Sequence, residues 1–149
     1  MSELSVSTIP HRPPFLFVDE IVEVSDNRIL TRKLADPEAD FFKGHYPGNP
    51  VMPGVLICES VFQAGALLVA HAFGAERIGK GGGVPVLARV SDASFKRMIK
   101  PGEMLDVEVV LDEELSGVYF LTGRVRVDEQ LALRVKFTCA LANEEGGLS

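Results

Sequence analysis

The sequence predicts an α+β protein in which an antiparallel β-sheet wraps around one long central helix. The stretch from Gly54 to Phe73 contains no proline and is apolar on nearly every side, as expected of a helix buried all round. Two strand-like runs precede this stretch, and four more follow it from Val84 onward. The turns between the later runs are too short for helical crossovers, so neighbouring strands must be antiparallel.

Length and composition are those of one folded domain. The chain has 149 residues, of which 46% are hydrophobic and 24% are charged, and these proportions suit a globular protein with a substantial core. We therefore expect residues 1–149 to form a single domain with short polar tails. A formal net charge of −6 argues against a general nucleic-acid binder.

The sequence predicts a cytoplasmic protein that does not insert into a membrane. The first residues, MSELSVSTIPHR, contain neither a basic region nor an apolar run, so no secretory signal is recognised. The stretch from Val51 to Phe73 approaches membrane-spanning length, but Pro53, Glu59, Gln63 and His71 fall inside it. Such residues are costly in lipid, and a buried helix is the better interpretation.

Two strands and a turn are predicted ahead of the helix. Phe15 to Val24 (FLFVDEIVEV) is rich in Phe and Val, and Asp26–Asn27 supplies a turn before Arg28 to Leu34 (RILTRKL). The two runs predict a hairpin. Pro37 to Phe42 is predicted to form a short helical turn that leads to Gly44.

Alternation with a period of two predicts the last strands, which are separated by turn-like pairs at Ser116–Gly117 and Asp128–Glu129. Each run has one apolar face, made of Leu105, Val107, Val109 and Leu111, then Leu121, Val125 and Val127, and finally Leu131, Leu133, Val135, Phe137, Cys139 and Leu141. Arg134, Lys136 and Thr138 point the opposite way, so one face of the sheet is predicted to be wet. Pairing of exposed sheet edges predicts at least a dimer.

No cofactor and no metal site is predicted. The glycine-rich connection from Gly74 to Gly83 does not fit a phosphate-binding loop, because Lys80 is followed by glycine instead of Ser or Thr. Cys58 and Cys139 have no metal-ligand or redox spacing. We expect both cysteines to lie in the core.

The candidate chemistry lies between Gly44 and Gln63. Pro47, Pro50 and Pro53 fix an extended path and delay the helix until about Pro53 or Gly54. The first amides of the helix are unpaired, and free N–H groups at a helix start can bind an anion or an oxyanion. Gly54 has no side chain to obstruct approach, so it is the candidate substrate-binding residue.

His45 and Glu59 are the candidate catalytic pair. Imidazole can remove a proton near neutral pH, and a carboxyl in an apolar helix can donate one. With an oxyanion site beside them, they suit elimination or isomerisation next to a thioester-like carbonyl. The competing interpretation is structural, with His45 as a capping residue and Glu59 as a buried acid paired with Arg or Lys.

Four neighbouring polar residues are given other roles. Gln63, one helical turn after Glu59, either bonds a strand as a core amide or orients Glu59. His11, in a Pro-rich turn, and His71, near the helix end, are interpreted as structural. Cys58 is excluded as a nucleophile at the same site, because adjacent residues on a helix point about 100° apart.

Three segments of the chain resemble those of a known family. The segments are Pro10 to Ile21 (PHRPPFLFVDEI), Phe41 to Gly65 (FFKGHYPGNPVMPGVLICESVFQAG) and Asp92 to Glu103 (DASFKRMIKPGE). In order and spacing they resemble the (3R)-hydroxyacyl-(acyl carrier protein) dehydratases of fatty-acid synthesis, FabZ type. The GHFPG loop of that family matches Gly44 to Gly48, and its LILEAMAQ helix matches Leu56 to Gln63. The resemblance covers most of the chain.

The resemblance implies a hotdog fold and a cofactor-free dehydration of (3R)-3-hydroxyacyl carrier protein to the trans-2-enoyl product. It places the catalytic base on His45, the catalytic acid on Glu59, and the amide that holds the thioester carbonyl on Gly54. Each site would combine His45 of one subunit with Glu59 of the other, and members commonly form trimers of such dimers. The related FabA type typically carries Asp at the position of Glu59, which favours plain dehydration here.

Departures from the family pattern leave the acyl chain length open. EAMAQ becomes Glu59-Ser60-Val61-Phe62-Gln63, Lys43 replaces a Gln, and no aromatic gate residue precedes Asp92. An acidic carrier protein would meet the basic cluster of Lys96, Arg97 and Lys100.

Two alternatives remain at this point. A hotdog thioesterase would use its carboxylate to activate water at the carbonyl. A non-catalytic acyl-binding subunit of a heteromeric dehydratase would not need both His45 and Glu59, and the presence of both argues against it.

Overall fold

The computed structural model describes residues 4–79 and 83–142, and it has the predicted architecture of a sheet around a helix. In chain order the strands and helices are β1 (Glu20–Val24), β2 (Arg28–Leu34), α1 (Phe41–Gly44), α2 (Gly54–Phe73), β3 (Val84–Phe95), β4 (Met104–Leu115), β5 (Val118–Val127) and β6 (Gln130–Ala142). Short 3-10 turns lie at Val6–Thr8 and Ala75–Arg77. Part of the predicted glycine-rich connection, residues 80–82, lies outside the described residues.

The six strands form one sheet in the order β1-β2-β4-β5-β6-β3. Every neighbouring pair is antiparallel, as the short turns predict. Helix α2 is 20 residues long and contacts β2, β3, β4, β5 and β6, so the sheet curls around most of its circumference. The predicted start of the helix at Pro53 or Gly54 is confirmed, because Pro53 is the N-cap and Gly54 is the first helical residue.

The predicted apolar faces form the core. The inward residues of β4, β5 and β6 that are at most 1% exposed are Leu105, Val107, Val109, Leu121, Val125, Val127, Leu133, Val135, Phe137 and Cys139. The opposite face of β6 is drier than predicted, because Thr138 is buried. Thr138 is paired with Phe120 on β5 and Arg89 on β3, and directly paired residues share a sheet face. Their long side chains therefore flank the threonine.

The hairpin is shorter than predicted. Its first strand begins at Glu20, whereas the sequence pattern begins at Phe15. Phe17 and Val18 are buried, but the N–H of Phe17 donates to the side-chain Oε1 of Gln63 over 2.7 Å. The apolar character of residues 15–19 thus reflects burial against the helix and not membership of the sheet.

The short helix α1 begins later than the predicted turn. Asp36 accepts from the backbone of Glu38 through its carboxylate at 2.9 Å and from Ala39 through its carbonyl at 2.9 Å. These bonds form a turn ahead of the helix, which then starts at Phe41. The consequence for the site is that α1 ends immediately before His45.

The outer face of the sheet is charged and internally paired. Arg28 on β2 donates to Glu108 on β4 over 2.7 Å, and Arg126 on β5 lies 3.7 Å from the same carboxylate. The Arg28 hydrogen bond is the main reason that the pKa of Glu108 is lowered. Arg32 and Asp106 form a similar pair at 3.0 Å. These contacts join β2, β4 and β5 on the side away from α2.

Two glycines let the helix approach the sheet closely. A Cβ on Gly65 would lie 2.6 Å from Cζ of Phe137, and one on Gly123 would overlap Cγ1 of Val61. Real Cβ atoms do not approach other atoms this closely, and a packed core has little room to yield. The two positions therefore set the distance between α2 and strands β5 and β6.

We predict that Gly123→Ala destabilises the protein by about 1–3 kcal/mol, because an added methyl overpacks this contact. Chemical denaturation followed by circular dichroism measures the effect. Gly44→Ala is the matched control, because a Cβ at Gly44 would meet no atom within 4 Å. Equal losses in the two variants would contradict the assigned close contact.

Candidate active site

His45 is held by the loop that joins α1 to α2. Its Nδ1 lies 3.0 Å from the carbonyl oxygen of Val51, and the N–H of Val51 donates back to the carbonyl of His45 over 2.8 Å. The ring also stacks on Tyr46, with centroids 4.3 Å apart. A carbonyl can only accept, so Nδ1 carries a hydrogen in this contact. The neutral ring therefore has its lone pair on Nε2, the nitrogen that could accept a proton.

The start of α2 offers unpaired backbone donors. Leu56 and Ile57 both donate to the carbonyl of Pro53, but within residues 4–79 and 83–142 the N–H of Gly54 has no acceptor. The ring of Phe95 lies over this position, and a Cβ on Gly54 would be 2.9 Å from its Cε1. Absence of a side chain thus allows the ring to cover the helix start while the amide stays free.

Glu59 is oriented by Gln63. The amide nitrogen of Gln63 donates to Oε2 of Glu59 over 2.9 Å and to the carbonyl of Phe15 over 3.0 Å. The amide cannot be flipped, because the backbone N–H of Phe17 donates to its Oε1. Gln63 therefore combines the two predicted roles, because it is a core amide that bonds the backbone and also a hydrogen-bond donor to Glu59.

The partners of Glu59 differ from those of a structural acid. No Arg or Lys nitrogen of the described residues lies within 4.0 Å of its carboxylate, and its ionisable neighbour is His11, with Nε2 at 3.7 Å from Oε2. Sequence reasoning gave His11 a structural role in a turn, and the contact with Glu59 was missed. No local spacing encodes it, because it arises only when the N-terminal segment folds onto α2.

A cavity of about 200 Å³ opens beside Glu59. Its polar wall contains Glu59, Gln63 and His11, and its apolar wall is formed by Phe62 and Ala66 of α2, the first residues of β3, and Cys139. Such a mixture suits a ligand with an apolar chain and one reacting polar group. His45 and Gly54 do not line this cavity, and neither ring nitrogen of His45 lies within 4.0 Å of the Glu59 carboxylate.

Both cysteines are poor nucleophiles. Burial raises the pKa of the Cys139 thiol to about 12. Burial, followed by the nearby carboxylate of Glu59, also raises the pKa of Cys58. They are buried free thiols, as predicted.

Comparison with protein-family models assigns most of the chain to one family. A family model described as the FabA-like domain matches residues 9–136. The chain belongs to the FabA-like domain family. The match spans α2, the strands β1 to β5 and the first half of β6.

Curated relatives share this family's sequence pattern over nearly their whole length. The chain is 39% identical over 138 residues to the 3-hydroxyacyl-(acyl-carrier-protein) dehydratase FabZ of Anaeromyxobacter sp. (strain K), covering 92% of this chain and 87% of that protein. It is 40% identical over 139 residues to the FabZ dehydratase of Chloroflexus aggregans, covering 93% of each.

Solved structures share the fold at low sequence identity. The dehydratase heterocomplex ApeI:P of Xenorhabdus doucetiae superposes with a TM-score of 0.81 at 15% identity, covering 97% of this chain and 95% of that chain. A hypothetical thioesterase of Streptococcus pneumoniae with coenzyme A gives a TM-score of 0.65 at 14% identity, covering 83% and 85%. With the family match, these likenesses confirm the predicted hotdog fold.

We predict that Gln63→Leu lowers the free energy of unfolding by about 2–4 kcal/mol, because the buried N–H of Phe17 and the carbonyl of Phe15 lose their partner. Thermal and chemical denaturation measure this loss. Glu59→Gln is the matched comparison, and it should cost less than about 1 kcal/mol because Glu59 is partly exposed and anchors no backbone group. A larger loss in Glu59→Gln would contradict the assignment of Gln63 as the anchor.

Proposed function

We propose that this protein dehydrates (3R)-3-hydroxyacyl carrier protein to the trans-2-enoyl product, as a FabZ-type enzyme of fatty-acid synthesis. The family membership and the curated FabZ relatives support the activity. The observation in the structure that carries the chemistry is the carboxyl of Glu59, fixed by Gln63 at the wall of a largely apolar cavity. The helix α2 is long and apolar enough to cross a membrane, but it is mostly buried inside the fold. This burial agrees with a soluble enzyme, and we propose that the protein is cytoplasmic.

Each group of the proposed site has one step in the elimination. Nε2 of His45 removes the proton at C2, and the electron pair of that bond becomes the C2–C3 double bond by way of an enolate. The N–H of Gly54 stabilises the charge on the thioester oxygen. Glu59 gives its proton to the departing 3-hydroxyl, so the C3–O bond breaks and water leaves. The proton on His45 must then be lost and one regained by Glu59 before the next cycle.

The site is proposed to form between two subunits. His45 does not line the cavity that contains Glu59 and has no contact with its carboxylate within 4.0 Å, which supports a base supplied by a second chain. Strand β3 supports such a dimer, because it is a sheet edge whose exposed apolar side chains are Leu87, Val90 and Phe95. Pairing of two β3 strands would make one continuous sheet and bring the start of α2 and the covering Phe95 to the interface. Trimers of such dimers are the proposed assembly.

Mixing two inactive variants tests the shared site. His45→Ala and Glu59→Gln should each lower kcat by about 10²–10⁴-fold, as expected for loss of a general base or acid. In a mixed dimer one site then carries both defects and the other carries none. Random re-association should therefore restore about a quarter of wild-type activity.

Appearance of the enoyl product and release of free thiol are followed separately in this assay. Full activity of either single variant would overturn the proposed chemistry. No recovery on mixing would contradict only the shared site. Thiol release without enoyl product would support a thioesterase, and acyl binding without turnover would support a non-catalytic subunit.

The surface proposed to bind the carrier protein uses only part of the basic cluster of Lys96, Arg97 and Lys100. Arg97 donates to Glu103 over 2.9 Å, and the backbone N–H of Lys100 donates to the same carboxylate over 2.8 Å. Burial would raise the pKa of Glu103, but these two donors outweigh it and lower that pKa. Arg97 is thus engaged within the chain, and Lys96 and the ammonium of Lys100 are the cations left to meet an acidic partner.

We predict that the double variant Lys96→Glu, Lys100→Glu raises KM for the acyl carrier protein about tenfold and leaves kcat little changed, because charge complementarity acts mainly on encounter. With an acyl-pantetheine substrate, which has no protein surface, the KM should stay constant. Lys136→Glu, an exposed change on the outer face of β6, is the matched control. Equal effects on the two substrates would contradict docking at this surface.

A further inference from the structure

His11 lies against the proposed acid and is not used by the proposed elimination. We propose that His11 is a positioning residue that donates its Nε2 hydrogen to Oε2 of Glu59 as the carboxylate forms. The inference rests on the proposed function, because it concerns the same acid. Its basis is a cavity shared by the two side chains, an Nε2 to Oε2 distance of 3.7 Å, and a buried ring nitrogen that has no partner within the described part of the chain.

The turn that carries His11 is fixed by Arg12. One guanidinium nitrogen donates to the carbonyls of Ile9 and His11, each over 2.7 Å, and the other donates to the carbonyl of Ser7 over 3.2 Å. Ile9 is fully buried, which anchors the turn to the core. Gln63 holds the chain on the other side of the turn through Phe15. The imidazole is therefore delivered to Glu59 by a constrained backbone.

The surroundings of the ring determine which nitrogen carries the hydrogen. Nδ1 of His11 is buried and has no hydrogen-bond partner among the described residues. A hydrogen on Nδ1 would be a buried donor without an acceptor, which costs about 1–3 kcal/mol. With the hydrogen on Nε2 instead, that hydrogen faces a carboxylate oxygen of Glu59, which can accept it. The neutral tautomer with its hydrogen on Nε2 is therefore favoured, and that hydrogen faces Glu59.

This arrangement makes the two oxygens of Glu59 unequal. Oε2 faces two donors, the amide of Gln63 at 2.9 Å and Nε2 of His11 at 3.7 Å. An acidic hydrogen on Oε2 would point at other N–H groups, so the protonated acid carries its hydrogen on Oε1. When Oε1 gives that hydrogen to the leaving hydroxyl, negative charge develops on the carboxylate and both donors stabilise it.

The distance of 3.7 Å is longer than a normal hydrogen bond in the ligand-free chain. Catalytic hydrogen bonds often tighten only when substrate is bound, and this contact is expected to shorten as Glu59 becomes charged. An interaction that strengthens only in the transition state raises kcat and leaves substrate binding unchanged. This separates a positioning role from a structural one.

The alternative role for His11 is packing. Its ring stacks on Phe15 with centroids 6.4 Å apart. A purely structural histidine could be replaced by another aromatic ring, whereas a positioning histidine could be replaced by another N–H donor. His11→Phe and His11→Gln therefore make opposite predictions.

Steady-state kinetics of the 149-residue chain with 3-hydroxyacyl carrier protein provide the test. His11→Phe should lower kcat about tenfold and change KM by less than about twofold, because the interaction acts in the transition state. His11→Gln keeps an N–H donor and should recover most of this loss. His71→Phe, the same substitution at the far end of α2, should retain wild-type kcat. If His11→Phe does not fold, His11→Leu replaces it as the variant without a donor.

A double-mutant cycle shows whether His11 acts through Glu59. In the Glu59→Gln background, His11→Phe should cause no further loss of residual kcat, because the charge it stabilises no longer forms. Where that residual rate is too low to measure, the comparison of His11→Phe with His11→Gln decides.

Several results would overturn the inference. One is a wild-type kcat in His11→Phe, and another is an effect of His11→Phe on KM alone. The others are a higher kcat in His11→Phe than in His11→Gln, and an equal factor of loss in kcat when His11→Phe is added to Glu59→Gln. Failure of the proposed function looks different, because Glu59→Gln would itself retain full activity. Loss of activity in Glu59→Gln with none in His11→Phe would reject only the role of His11.

Discussion

The side-chain amide of Gln63 is the interaction on which the site depends. It is buried in α2, and its oxygen and nitrogen are shared between the N-terminal segment and Glu59. A buried amide must find partners for all its polar groups, because each unpaired one costs free energy. The same requirement that ties residues 15–17 to the helix therefore also fixes the carboxylate. Structure and proposed chemistry depend on the same three hydrogen bonds.

Close packing around α2 has a similar double effect. Gly65 and Gly123 allow the helix to lie deep in the curled sheet, so most of the cavity wall is formed by α2, β3 and β6, and the N-terminal segment adds Pro10 and His11. Gly54 plays the corresponding part at the helix start, where the ring of Phe95 rests on the backbone. Larger residues at these positions would displace the helix relative to the strands that surround it.

Local patterns predicted the elements well, and contacts between distant segments were not predictable from them. The proline spacing before Gly54 defines the start of α2, and alternation in β6 identifies its buried face. The same rules extended the first strand to Phe15. An apolar run has the same sequence pattern whether its backbone bonds to a neighbouring strand or to a buried side chain such as Gln63. His11 was given a structural role from its local sequence, but its position beside Glu59 depends on Arg12 and Gln63 together. Motif resemblance singled out His45 and Glu59 as candidates, whereas the contact of His45 with Val51 and the position of Glu59 at the cavity wall are visible only in three dimensions.

The bond from His45 to the carbonyl of Val51 has a stereochemical consequence. With Nδ1 engaged by the backbone and the ring held against Tyr46, the imidazole has one nitrogen and one direction in which to exchange a proton. For the proposed base, a hydrogen taken from C2 and a hydrogen returned to C2 in the reverse hydration travel along the same line. Both would involve the same face of the acyl chain. In the proposed reaction, the face of the acyl chain that exchanges its proton would be set by the loop that orients His45.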